Sequence, residues 1–314
     1  MKILITGGSG YIGHKLIPRL LKNKHHIINI DTQWFGHYHK KHSRLKNYKM
    51  DYALVDKIKE KKIDAVIHLA SIANDPMAEI DKNLSWETSA LNTYRLMEFM
   101  KKRKIKKILY ASSGSVYGIK KEKKVTEQSK LEPISLYNKV KMVTERVILS
   151  YHKEITPFII RPSTVCGYSP RMRLDVTVNI LTFSALKNNV INVFGGKQIR
   201  PNIHIDDMCR IYEFFLNKDK KYSGIYNAGY ENKSIIEIAK TVSKITKSKI
   251  NVVKDQSDPR SYRLNSDKIQ NAGFKYSKTY EDAINELCAE YKNKNLKDRK
   301  NNFSLKWLKK ILKE

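Results

Sequence analysis

The run Lys2-Ile3-Leu4-Ile5-Thr6-Gly7-Gly8-Ser9-Gly10-Tyr11-Ile12-Gly13 decides the fold. Residues 2–6 read as a buried strand, and the apolar spacing over 11–23 reads as a helix. Between them lies the pattern G-x-x-G-x-x-G. Glycine there lets the chain turn tightly, presents backbone N–H groups to a pyrophosphate and brings the helix close to the sheet. Asp31 closes the next apolar run, residues 27–31, about 20 residues further on, where a carboxylate accepts hydrogen bonds from adenosine ribose hydroxyls and repels a 2′-phosphate. No cation follows in Thr32-Gln33-Trp34, so the reading is NAD rather than NADP.

Outward from this loop, strand signals at 65–70, 107–112 and 156–161 alternate with helical periodicity over 84–102 and 135–151. Such alternation predicts an α/β Rossmann fold, a doubly wound parallel sheet. Residues 1–165 read as an NAD-binding Rossmann domain that the chain revisits around 201–228, and 166–291 as a smaller, mainly substrate-binding α/β region. In that second part helices are expected over 176–186, 234–246 and 280–291, with a short strand at 224–228. Residues 292–314 form a basic tail with Trp307, Leu308, Ile311 and Leu312 on one helical face. Docking on the chain's own body is favoured for it, over a partner or weak peripheral contact with an anionic membrane surface.

With 314 residues, 41% of them hydrophobic, the chain is long and apolar enough to bury a sizeable core unaided. Its 61 Lys and Arg against 31 Asp and Glu give a net charge of +30, which directs attention to anionic partners. Nucleic acid is disfavoured. The cations are spread along the chain, and the densest run, six Lys or Arg within residues 101–107, falls at a helix end without interleaved aromatics. Cys166, Cys209 and Cys288 form no C-x-x-C and no even framework, as in a reducing compartment. No apolar run is long enough to span a bilayer, and the first apolar stretch leads straight into the glycine loop, so the expected location is the cytoplasm. His37, His39 and His42 crowd one loop without an acidic or thiol partner, and a mobile basic loop is preferred to a metal site there.

Tyr137 and Lys141, four apart on an expected helix, share one face. A phenol titrates near ~10, and an adjacent ammonium together with a positive nicotinamide ring would lower that value and let Tyr137 act as a base. Ser113 ends the preceding strand, where a hydroxyl can bind the same substrate oxygen. Asp51 is placed to reach the adenine, and the small residues of His68-Leu69-Ala70-Ser71 let a cofactor lie against the backbone at the carboxyl edge of the sheet.

Taken together, the glycine loop, Asp31, His68-Leu69-Ala70, Ser112-Ser113-Gly114-Ser115-Val116-Tyr117-Gly118, residues 137–141, Arg161-Pro162 and residues 200–207 make the chain resemble the extended short-chain dehydrogenase/reductases, specifically the NAD-dependent nucleotide-sugar epimerases and dehydratases, over residues 1 to about 290. The resemblance implies Ser113, Tyr137 and Lys141 as the catalytic residues. It implies cofactor contacts from Gly7, Ser9, Gly10, Tyr11, Ile12, Gly13, Asp31, Asp51, Tyr52, Leu69, Ala70, Ser71, Asn92, Ser112, Tyr137, Lys141, Pro162 and Val165. Toward a UDP- or GDP-linked sugar it implies Ser113, Ser115, Asn179, Arg200, Arg260 and Arg263, with Arg171 and Arg173 at even odds between substrate and surface, and it implies a homodimer. A shorter likeness, Ser169 to Asp175, is to a subgroup from surface-polysaccharide pathways that includes a GDP-heptose C4 dehydrogenase.

One departure restricts the chemistry. Family 4,6-dehydratases carry acidic residues just after the catalytic hydroxyl, where this chain has Gly114 and Ser115, so elimination of water is disfavoured. The expected reaction is epimerisation through a 4-keto-sugar. Net dehydrogenation of the same substrate class is the alternative, and a non-catalytic NAD- or RNA-binding Rossmann protein is a remote one.

Overall fold

The computed structural model describes residues 1–122, 124–253 and 261–313. Its strands are β1 (Lys2–Thr6), β2 (His26–Asp31), β3 (Leu45–Lys49), β4 (Ala65–His68), β5 (Lys107–Ala111), β6 (Thr156–Pro162), β7 (Thr164–Cys166), β8 (Val190–Phe194), β9 (Ile199–His204), β10 (Gly224–Ala228), β11 (Glu231–Ser234) and β12 (Lys249–Val253). The helices are α1 (Gly13–Lys22), α2 (Asp75–Ala78), α3 (Lys82–Trp86), α4 (Asn92–Lys102), α5 (Leu136–Leu149), α6 (Thr177–Asn188), α7 (Ile205–Leu216), α8 (Ile235–Thr246), α9 (Asp267–Asn271), α10 (Tyr280–Lys292) and α11 (Ser304–Ile311).

Seven strands form one parallel sheet in the order β10-β6-β5-β4-β1-β2-β3. The alternation within β1 shows why it is covered on both sides. Ile3 and Ile5 pack with Leu16, Ile17 and Leu20 of α1 and Met208 and Ile211 of α7, whereas Leu4 joins Leu96, Met97 and Met100 of α4 and Ile148 of α5 on the other face. The strand order reverses between β1 and β4, which opens a crevice beyond their carboxyl ends. A second, smaller core unites α6, α8 and α10 around Ile191 and Val193 of β8, beside the paired strands β8 and β12 and the small sheet β11-β9-β7.

The helical segment expected over 84–102 is divided. A π turn over Glu87–Leu91 separates α3 from α4. The wider turn redirects main-chain carbonyls, and that of Thr88 accepts the buried Tyr52 phenol.

Glu286 of α10 ties the two parts of the molecule together. It accepts from Lys15 Nζ of α1 at 2.9 Å and from the Tyr168 backbone N–H at 3.0 Å, and it lies 3.3 Å from His204. These partners outweigh the cost of its burial and hold its carboxyl down at about 2. A lowered folded-state value stabilises the protein above the ordinary carboxyl range, and that stability is lost as pH falls from about 4.5 toward about 2. Glu286→Gln is therefore expected to cost about 2 kcal/mol at neutral pH after allowance for solvent screening, and to flatten the acid limb of a denaturation-midpoint-versus-pH curve.

Candidate active site

The crevice holds a cavity of about 570 Å³ whose wall runs from the glycine loop to the start of α5. At its floor Gly7, with φ +75°, lies so close to the segment that follows β4 that an added Cβ would stand 2.5 Å from the Ala70 backbone nitrogen. No side chain caps the N-terminus of α1 and no acid occupies its first turn, so the positive end of its dipole is left uncompensated toward the glycine loop, while the Gly10 and Ile12 carbonyls take the His14 and Lys15 N–H groups. Asp31, at the end of β2, accepts from the Ser9 N–H at 2.9 Å and the Gln33 N–H at 2.6 Å, one on each oxygen. Burial pushes its carboxyl up while these N–H groups pull it down, and each oxygen keeps a lone pair for a ribose hydroxyl. This cradle fits a dinucleotide in shape and charge. Asp31→Ala is expected to raise the Kd for NAD by about 10- to 100-fold, the worth of hydrogen bonds to a charged acceptor, as read by fluorescence titration.

Across the cavity stand Ser113, Tyr137 and Lys141. Ser113 caps a short 3-10 turn (Gly114–Tyr117), accepting from the Ser115 N–H at 3.2 Å. Its hydroxyl lies 2.7 Å from that of Ser115, which donates to Asn138 Oδ1 at 2.6 Å. Helix α5 starts at the Ser135 cap and carries Tyr137 and Lys141 on its cavity side. The Lys141 ammonium donates to the Ala111 carbonyl at 2.7 Å and stands 5.8 Å from the centre of the Tyr137 ring.

Burial dominates the electrostatics of Tyr137 and Lys141. Burial pushes Tyr137 up to about 12, and the groups that pull it back are the buried Arg173 guanidinium and a hydrogen bond with Ser113. Lys141 is itself pushed down to about 7 by burial, partly offset by Glu145 one turn along. Dehydration is the largest cause of both shifts.

Ser9 to Gly13, Tyr52, Leu69 to Ser71, Ser112, Ser113, Ser115, Pro162, Val165, Arg171, Arg173 and Arg200 all line the cavity. Four expected residues do not line it. Asp51 and Asn92 stand behind the wall, where Asp51 caps the turn at Ala53 and Asn92 bonds Arg95 and reaches toward Asp51. Asn179 is fully buried and holds the Gly167 N–H, the Tyr11 phenol and the Arg173 carbonyl, so it supports the wall from behind. Arg263 is exposed because the extended segment that bridges Val125 alternates, turning Tyr262 and Leu264 inward. Arg260 lies outside the described residues.

Sequence reasoning missed Trp34, Phe35, Tyr262, Ser304 and Leu305 in the wall, and Asp175, which accepts from Arg173 at 3.0 Å and from Asn74 at 3.0 Å. A period-two reading of 261–264 could have found Tyr262. Nothing local marks the others.

His37 and His39 lie against the glycine loop with His14, His14 and His39 stacked at 4.0 Å. Their ring nitrogens bond Ser9 Oγ, the Gly8 and Gly10 carbonyls and the Tyr38 N–H. Among the described residues no group of three or more His, Cys, Asp or Glu is arranged to hold a metal ion, and no helix is long and apolar enough to cross a membrane.

Fold and cavity together define a dinucleotide-dependent enzyme of the Rossmann class. The NAD dependent epimerase/dehydratase family matches residues 3–229, and the chain belongs to that family. Among curated relatives, a UDP-glucose 4-epimerase of Lactobacillus helveticus is 27% identical over 78% of this chain and 82% of its own length. A dTDP-D-glucose 4,6-dehydratase of Dictyostelium discoideum is 26% identical over 93% of this chain and 82% of its own. Among solved structures, the UDP-glucuronic acid 4-epimerase of Bacillus cereus, in complex with UDP-glucuronic acid and NAD, superposes with a TM-score of 0.79 at 27% identity, covering 93% of this chain and 99% of that one.

Proposed function

We propose that this chain is a nucleotide-sugar 4-epimerase that works through a 4-keto intermediate, with Ser113, Tyr137 and Lys141 as its catalytic residues. Tyr137 takes the proton of the sugar C4 hydroxyl, Ser113 binds the same oxygen, and Lys141 contributes positive charge beside the phenol and a hold on the nicotinamide ribose. The cradle of the glycine loop and Asp31 would hold NAD, which would supply reversible hydride acceptance at C4 and a positive charge that favours the phenolate. Arg200, Arg173 and Ser115 are the cavity groups proposed for the nucleotide-sugar, whose diphosphate suits forked guanidinium donors.

The engagement of every carboxylate that lines the cavity among the described residues carries the choice of reaction. Asp31 holds the Ser9 and Gln33 N–H groups, Asp75 accepts the Ser135 hydroxyl, and Asp175 is bound by Arg173 and Asn74. Next to Ser113 the chain has Gly114 and Ser115, so neither of these two positions supplies the acid that expulsion of a C6 oxygen requires. Incubation of purified protein with UDP- and GDP-hexoses, followed by chromatography, is expected to give an equilibrium mixture of C4 epimers without net NADH. Stoichiometric NADH with a keto-sugar would establish a dehydrogenase instead, and a 4-keto-6-deoxy product would overturn the argument from the carboxylates.

We further propose a homodimer paired through α4 and α5. Leu91 and Tyr94, 47% and 50% exposed beside and on α4, support that face. Light scattering at micromolar concentration tests it, and a monomer would refute it.

A further inference from the structure

Arg171 is 5% exposed and lies in the cavity wall, yet among the described residues no carboxylate pairs with it. Its Nη1 donates to the Met172 carbonyl at 3.2 Å and its Nη2 to Ser304 Oγ at 3.1 Å, while its Nε has no partner. A guanidinium taken out of water without a counter-ion is costly, and burial accordingly depresses its affinity for its proton. Its surroundings show which anion can neutralise it. The guanidinium feels Asp175, Asp31 and Tyr38 and stacks on Phe35 at 4.3 Å, and of these Asp31, Tyr38 and Phe35 lie on the dinucleotide side of the cavity. Arg173, two residues on, turns to Asp175, the Ala73 carbonyl and Tyr137, on the catalytic side.

The partner of Arg171 on Ser304 belongs to the basic tail, which docks on the body. Asn301 donates to the Phe35 carbonyl at 2.8 Å and to the Tyr38 phenol at 2.6 Å. Trp307 donates to the Trp34 carbonyl at 2.6 Å, and the Leu174 N–H donates to the Asn302 carbonyl at 2.9 Å. Leu308, 1% exposed, packs with Ile72, Met77 and Ala78, and Tyr137 borders the same cluster. The tail thus bridges the loop after β2, the loop that carries Arg171 and the segment after β4, and it places Ser304 and Leu305 in the cavity wall.

We propose that Arg171 and residues 296–313 form a clamp on the dinucleotide: the guanidinium is the counter-ion of the NAD pyrophosphate, and α11 covers the cavity so that NAD stays bound through turnover. This builds on the reading of the site as an epimerase, because a nicotinamide that stays in place must be reoxidised by the sugar intermediate that reduced it.

The test measures release of NAD from purified holoenzyme, without any sugar, by chase with excess isotopically labelled NAD. Arg171→Gln is expected to speed release by about 30-fold or more, the loss of a desolvated charge pair, with Arg171→Lys in between. Leu308→Asp, or truncation after Asn295, is expected to speed it about tenfold. Should the truncated chain fail to fold, Trp307→Ala, with circular dichroism unchanged, is expected to speed release several-fold. Release at the wild-type rate in folded Arg171→Gln and Trp307→Ala would overturn the clamp. An Arg171→Gln variant with unchanged release and a raised KM for the nucleotide-sugar would overturn it too, by assigning the arginine to the substrate. The readout needs no sugar, so NADH accumulation in the epimer assay would sink the epimerase reading and leave the clamp standing.

Discussion

Tyr137→Phe is expected to lower kcat by about 10³-fold, within the range for loss of a positioned general base, while the purified variant still carries NAD. The hydroxyl that is removed belongs to a phenol that burial holds up at about 12, so the proposed proton transfer requires surrounding charges that favour the phenolate. Two cations bear on this. Arg173 pulls the phenol down directly, and Lys141, pushed down to about 7, is charged on only part of the molecules near neutrality. Because Tyr137 must lose its proton, kcat/KM of the wild type is expected to climb with pH up to about 7, above which loss of the Lys141 charge opposes the climb. The residual activity of the Phe variant should show no such climb. A Phe variant within about tenfold of wild type, measured by epimer formation, would remove Tyr137 from the chemistry.

Arg161→Met is the second large effect. Arg161 of β6 and Glu145 of α5 are 2% and 1% exposed and joined by two hydrogen bonds, Nε to Oε1 at 2.9 Å and Nη2 to Oε2 at 2.6 Å. The arginine also donates to the Tyr117 phenol at 2.8 Å, which donates to Asn227 at 2.7 Å, and Ser112 donates to Glu145 at 2.5 Å. Removing the arginine leaves a buried carboxylate without its counter-ion, at a cost of about 3–5 kcal/mol against a total stability of about 5–15 kcal/mol. The denaturation midpoint in urea is expected to fall accordingly. The double variant Arg161→Met with Glu145→Met should recover most of the loss, since an apolar pair of similar volume needs no solvation. A loss below about 1 kcal/mol in the single variant would show that water reaches Glu145. The pair also bears on the site, because Glu145 follows Lys141 by one turn of α5 and raises its affinity for a proton.

Much of the first half was legible because its signals are local. β1 spans the same residues that the apolar run predicts, and α1, β2, β5, β6 and α5 fall within one or two residues of their expected limits. Each is a strand buried on both faces or a helix with one apolar stripe, and such patterns survive without tertiary help. The short strands after Pro162 were harder. β9 carries Pro201 in its interior, β12 is largely exposed, and β7 has three residues, so their pairing partners rather than their own periodicity make them strands. The helical reading of 84–102 holds throughout, but periodicity cannot distinguish an α turn from the π turn at Glu87–Leu91.

By itself the sequence determined the dinucleotide cradle and the candidate catalytic set. Gly7, Asp31, Ser113, Tyr137 and Lys141 sit at fixed offsets from the ends of strands in a parallel sheet, so chain order alone carries them to one edge. Tertiary structure decided what surrounds them. It turned Asn179 and Arg263 away from the cavity, paired Arg173 with Asp175 while giving Arg171 the Ser304 hydroxyl, and brought Ser304 from far along the chain into the cavity wall. It also set the charge state of the site, since Tyr137 and Lys141 are displaced chiefly by burial, and burial depends on residues far apart in sequence that close around them.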